Sequence, residues 1–183
     1  MRSNKKIRNM VTAGMLCAIG ILIPMVSPIK ITLDPASFTL ASHVPVFMAM
    51  FISPVVGIFV AVGTTLGFLM GGFPLPVVAR AASHVIFVLL GAAYLTKHKE
   101  TLSCTKKWVA FSFVISVIHG VCELLIILPF YINGALPAAN YEKGFFVSIF
   151  LLVGIGSIVH SMVDFVISQV LWSRIGKAVG VTV

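Results

Sequence analysis

The chain has 183 residues, 59% hydrophobic and 10% charged, with a mean hydropathy of +1.10; soluble domains hold about 45–50% apolar residues, so a soluble globular protein is excluded. Lysine and arginine outnumber aspartate and glutamate 13 to 5, but they lie in short clusters between long apolar runs, not on the shared water-exposed face that nucleic-acid binding requires. Cys17, Cys104 and Cys122 have neither the even number of a disulfide framework nor the spacing of a zinc site, so no disulfide, metal or other cofactor is expected.

A membrane-spanning helix takes about 20 predominantly apolar residues. Six such candidates follow one another in a single membrane domain, 1–183, which predicts an all-α integral membrane protein. The first, 9–26, follows a basic stretch from Arg2 to Arg8. It is long for the apolar centre of a cleaved leader and runs into Pro24 and Pro28 instead of a small-x-small site, so a retained helix is expected. Its Gly14-x-x-x-Ala18 pair forms a groove that admits another helix. The second and third, 38–52 and 55–70, are short and divided only by Ser53-Pro54, so this pair is expected to be tilted, broken or shielded from lipid. In the third, Gly63-x-x-x-Gly67-x-x-x-Gly71 marks close helix packing. The fourth, fifth and sixth cover 77–95, 108–132 and 144–172.

Basic residues are retained on the cytoplasmic side of a membrane. The N-terminal tail, the segment between the fourth and fifth helices and the C-terminal end carry ten of them, against Lys30 and Lys143 in the opposite loops. Both termini are therefore expected in the cytoplasm, with Trp108 and Trp172 at the inner interface. There is no GxxxxGK[ST] loop, so the chain cannot hydrolyse ATP by itself. Gly154-Ile-Gly-Ser157 is not a nucleophile elbow, and Ser157 with His160 lacks a positioned third group, so an enzyme is not expected.

Polar residues within the bilayer are costly and are kept for function or pairing. Arg80 and His84, His119 and Glu123, and His160 and Asp164 are i,i+4 pairs, each on one face of its helix. At about 1.5 Å per residue, Arg80 lies roughly 5 Å below the outer surface, His84 and Glu123 roughly 10–14 Å, His119 about 20 Å and His160 about 24 Å. This descending path suggests a cavity open to the outside, with a guanidinium suited to a carboxylate near its mouth. Arg80 could instead snorkel to headgroups, His119 and Glu123 could bind two helices together, and His160 could simply pack. Asp164 is expected near the inner surface, paired with Arg174, Lys177 or a basic residue of another helix. Phe73, Tyr131 and Tyr141 are either interfacial aromatics or a stacking surface for a flat ligand.

The basic N-terminus leading into Thr12-Ala-Gly14-Met-Leu-Cys-Ala18, six helices in fewer than 200 residues, and Ala36-Ser-Phe-Thr-Leu-Ala-Ser-His43-Val-Pro-Val-Phe-Met-Ala-Met-Phe-Ile-Ser-Pro54 together resemble the substrate-binding S component of energy-coupling factor (ECF) vitamin transporters, over essentially the whole chain. Gly63-Thr-Thr-Leu-Gly67 and Ala79-Arg80-Ala-Ala-Ser-His84 look most like niacin-type S components, with pantothenate-type next. The resemblance implies a multi-pass bacterial plasma-membrane protein that captures a vitamin carboxylate from outside. It would pass the vitamin inward together with a transmembrane coupling protein (T component) and two ABC ATPases, which use the ATP. The implied ligand site lies between the fourth, fifth and sixth helices, with Arg80, His84, His119, Glu123, His160, Tyr131 and Phe73 as candidate contacts. Gly14 and Ala18 stand where the family carries two alanines that face the coupling protein. The alternative is a self-sufficient carrier or channel relaying protons through the intramembrane His, Glu and Asp side chains.

Overall fold

The computed structural model describes residues 2–33 and 36–175. It is a helical bundle with one small hairpin. α1 covers Arg2–Val26, and β1 (Lys30–Leu33) pairs antiparallel with β2 (Ala36–Thr39), Lys30 opposite Thr39. Then come α2 (Val44–Ile52), α3 (Pro54–Met70) and α4 (Leu75–Lys97). A 3-10 turn at Lys99–Ser103 leads into α5 (Thr105–Ile132). After a short α6 (Ala139–Glu142), a π-helical stretch, Phe146–Ile155, runs directly into α7 (Gly156–Ile175). Among the described residues, Lys6–Val26, Leu75–Lys97, Thr105–Ile132 and the continuous Phe146–Ile175 are long and apolar enough to cross a membrane; Pro54–Met70 is apolar but shorter.

The predicted second helix is half wrong. Its first residues form the end of β2 and a turn, and α2 begins only at Val44. Nine residues of helix rise about 13 Å, less than half the hydrocarbon thickness of about 30 Å, so α2 cannot span alone. Every side chain from Val44 to Phe51 is buried, and irregular backbone beside such a segment is tolerated because protein, not lipid, surrounds it. The break after α2 is local: extended Ser53 accepts the Val56 N–H on its hydroxyl at 3.3 Å, and Pro54 takes the first position of α3, where no backbone donor is needed.

α1 lies on α3 where glycine permits it. A Cβ at Gly63 would meet the Cys17 sulfur and one at Gly67 the Ile21 side chain, so these two glycines form the expected seam; Gly71 instead caps the end of α3. In the core, Phe47 meets Phe165 at 5.2 Å between ring centroids, and Phe51 meets Trp172 at 5.6 Å. Trp172, expected at the inner interface, is turned into the protein, 2% exposed and edge-on to Phe51. In lipid such contacts stabilise through close dispersion packing more than through release of water.

Candidate functional site

A cavity of about 250 Å³ lies among α1, the hairpin, α3 and α4, with residues of α5 and α7 at its floor. Gly20 and Pro24 of α1, Lys30 and Thr39 of the hairpin, and Thr64 and Phe68 of α3 share its wall with Arg80 and His84 of α4. The cavity is thus displaced from the expected position between α4, α5 and α7, toward α1 and α3. Phe73, in the α3–α4 connection, stacks on Phe68 at 4.8 Å and both rings line the cavity.

The floor is polar and organised around two carboxylates. Arg80 donates through Nη2 to Glu123 Oε2 at 2.8 Å and to Ser157 Oγ at 3.5 Å, and Ser157 donates to the same carboxylate oxygen. The Arg80 guanidinium turns inward to Glu123 instead of snorkelling, with Nε buried and unpartnered. The other oxygen, Glu123 Oε1, stands 3.6 Å from His84 Nε2 and 3.4 Å from His119 Nε2. Among the described residues, neither of those nitrogens has a hydrogen-bond partner.

The second carboxylate is Asp164. It accepts the backbone N–H of Ala41 at 2.8 Å and that of His43 at 2.9 Å, and faces His43 Nδ1 at 3.1 Å and His160 Nε2 at 3.4 Å. Ala41 has φ of 67°, a left-handed conformation that costs a non-glycine residue about 1–2 kcal/mol. Asp164 holds that turn in place and sits at the positive end of α2. Its expected partners are corrected accordingly: it is 0% exposed and grips the turn before α2, while Lys177 lies outside the described residues. Gln169 donates to Leu102 O, in the connection between α4 and α5, at 2.6 Å.

Of the residues singled out in the sequence, Arg80, His84, Glu123, His160 and Phe73 line the cavity. His119 is fully buried behind them. Tyr131 stands apart, stacked on Tyr141 at 4.8 Å and edge-on to Phe145. Sequence reasoning missed His43, whose ring meets those of His84, His119 and His160 at 4.9, 4.7 and 5.0 Å. A signal existed: Pro45 favours the first turn of a helix, which would have put His43 at a cap beside Ser42. Gly14 and Ala18 are exposed on the outer face of α1, with nothing within 4 Å of a Cβ built at Gly14, whereas Ala13, Leu16 and Gly20 turn inward.

A short buried turn, a cavity floored by ion-paired side chains and a bundle of apolar helices describe a membrane protein that binds a small polar molecule. Residues 8–175 match the family model for the substrate-specific component of ECF transporters, and the chain belongs to that family. It is a multi-pass protein of the bacterial plasma membrane and the non-enzymatic substrate-binding subunit of an ECF importer. Over 174 residues it is 43% identical to the niacin transporter NiaX of Lactococcus lactis subsp. cremoris (strain MG1363), covering 94% of this chain and 77% of that protein. No solved structure matches the chain.

Proposed function

We propose that this chain captures niacin, or a vitamin carboxylate of closely similar size, from outside the cell. The observation that carries this reading is the 43% identity to a niacin transporter across nearly the whole chain. The cavity supports it: about 250 Å³ is below the roughly 300 Å³ at which pockets for drug-sized ligands begin, which suits a single ring. The carboxylate would take the unspent donor of Arg80, with Lys30 at the mouth, and the pyridine would lie against Phe68 and Phe73. His84, Glu123 and His160 would close the floor, with His119 behind. Tyr131 would act only through the outer loops.

In this reading all six hydrophobic segments belong to one membrane domain, with both termini in the cytoplasm. A T component would dock on the groove of Gly14 and Ala18, and two ABC ATPases would supply the energy, this chain using no cofactor of its own. Equilibrium binding of radiolabelled vitamins to the purified chain tests the ligand: niacin should bind with nicotinamide and pantothenate far weaker, and preference for pantothenate or an uncharged vitamin would overturn the assignment. In vesicles the chain alone should bind niacin without accumulating it. In a variant lacking native cysteines, a cysteine at Glu142 should label from outside and one at Ser103 only after permeabilisation; the reverse pattern would invert the topology.

A further inference from the structure

The two carboxylates differ in how their histidines are satisfied. Around Asp164, His160 Nε2 has Ser42 Oγ at 3.1 Å and His43 Nδ1 has the carboxylate itself. Around Glu123, His84 Nε2 and both nitrogens of His119 are buried without a hydrogen-bond partner among the described residues, the two Nε2 atoms only facing Oε1 at 3.6 and 3.4 Å. Unpaired polar groups in a low-dielectric interior are costly and call for an explanation. A ligand in the cavity cannot supply the missing partner for His119, which does not line it.

We propose that His43, His84, His119 and Glu123 form a site for a first-row divalent transition metal, zinc by donor set, beneath the floor of the cavity. One donor atom from each of the four lies within 4.8 Å of the others. Donors bound tetrahedrally at about 2.0–2.2 Å from zinc stand about 3.3–3.6 Å apart, and the two imidazole nitrogens stand 3.4 and 3.6 Å from Glu123 Oε1. That oxygen is the one Arg80 and Ser157 leave free. His43 is prepared in the manner of metal-ligating histidines. Because a carboxylate only accepts, Nδ1 carries the proton toward Asp164, which leaves Nε2 with its lone pair and fixes the ring. Three imidazoles and one carboxylate fit zinc and cobalt(II) and are poor for magnesium or calcium, which prefer oxygen.

The charge of the floor agrees. With uncharged imidazoles, as metal ligation requires, Arg80, Glu123 and Asp164 together carry one net negative charge, which Lys30 at the mouth brings only to neutrality. A dication makes it positive. The geometry above does not depend on the vitamin, and neither does the test.

Tag-free protein is purified in detergent without vitamin, stripped with chelator, incubated with Zn²⁺ or Co²⁺ and passed through gel filtration, and its metal is counted by mass spectrometry. Wild type should retain about one metal per chain, with visible Co²⁺ bands of a tetrahedral nitrogen-rich site. His84→Gln and His119→Gln should each lower affinity at least tenfold, whereas His160→Gln and the exposed His98→Ala should keep full occupancy. Should His119→Gln aggregate, the Co²⁺ spectrum of wild type and the His84→Gln titration still decide. Less than a tenth of a metal per wild-type chain, an octahedral Co²⁺ spectrum, or equal retention by His84→Gln and wild type would overturn the site.

Discussion

Glu123 and Asp164 enter the bundle from neighbouring helices in the same local pattern, a histidine four residues before each, yet they are used in opposite ways. Asp164 accepts backbone N–H groups of the turn before α2 on both oxygens, besides facing His43 and His160. Glu123 spends one oxygen on side chains, Arg80 and Ser157, and leaves the other facing imidazoles. A carboxylate tied to main chain fixes a fold, while one tied to side chains can exchange partners when something enters the cavity. The pair teaches that a repeated motif on two helices names a polar environment and not a role.

The contrast is broken most severely through stability. Asp164→Ala strands the N–H groups of Ala41 and His43 inside the bundle and should cost about 2–6 kcal/mol, from about 1–3 kcal/mol for each buried donor left unsatisfied. Thermal unfolding in detergent should show this as a large fall in midpoint, and Glu123→Gln should lose less, because the amide oxygen can still accept from Arg80 and Ser157. Equal losses would erase the distinction between the two clusters. Next, Arg80→Ala should weaken niacin binding by about 1.5–3 kcal/mol, the value of a hydrogen bond to a charged group, or roughly 10- to 150-fold. A calorimetric titration showing unchanged affinity would leave Arg80 as a partner of Glu123 only.

Smaller still on affinity is a change remote from both carboxylates. Gly14→Leu with Ala18→Leu fills the exposed groove of α1 and should leave niacin affinity within about threefold, near 0.7 kcal/mol. It should abolish ATP-dependent uptake and co-purification with the coupling protein, because helix association in lipid depends on close approach. Collapse of binding in this variant would place the groove inside the bundle. The least effect belongs to the Glu100–Lys107 pair at 3.1 Å, between the α4–α5 connection and the start of α5. A backbone N–H and Lys107 hold the Glu100 carboxyl below its ordinary value, so any stabilisation is present above the ordinary carboxylate range and disappears as pH falls through the lowered value. Both side chains are exposed, and Glu100→Gln should leave the unfolding midpoint at pH 7 unchanged.

The long helices were legible because hydropathy over about 20 residues is a direct physical readout of the bilayer. So was the inward set of Arg80, His84, Glu123 and His160, since i,i+4 spacing gives a shared face without any knowledge of neighbours. What was hidden follows from one boundary. Reading 38–52 as helix concealed the hairpin, the strained Ala41 and, with them, His43, whose place depends on Asp164 more than one hundred residues away. A four-residue strand carries little signal in such an apolar chain, and long-range pairing is invisible to local periodicity. The position of the cavity was partly missed for the same reason, because its wall includes Lys30 and Thr39 of that hairpin.

The complete enclosure of α2 has a consequence for how the chain is made. A segment of nine residues, buried from Val44 to Phe51, offers the insertion machinery nothing to hold as a separate span. It must enter together with α3, across the extended Ser53, and wait with an uncovered flank, because Phe165 and Trp172, which pack against Phe47 and Phe51, are synthesised more than one hundred residues later. Until α7 arrives the half-built bundle has an unfinished centre. Biogenesis of this small protein is therefore governed by its last helix, and truncation before Phe165 should send the nascent chain to degradation at the membrane instead of leaving a partially working subunit.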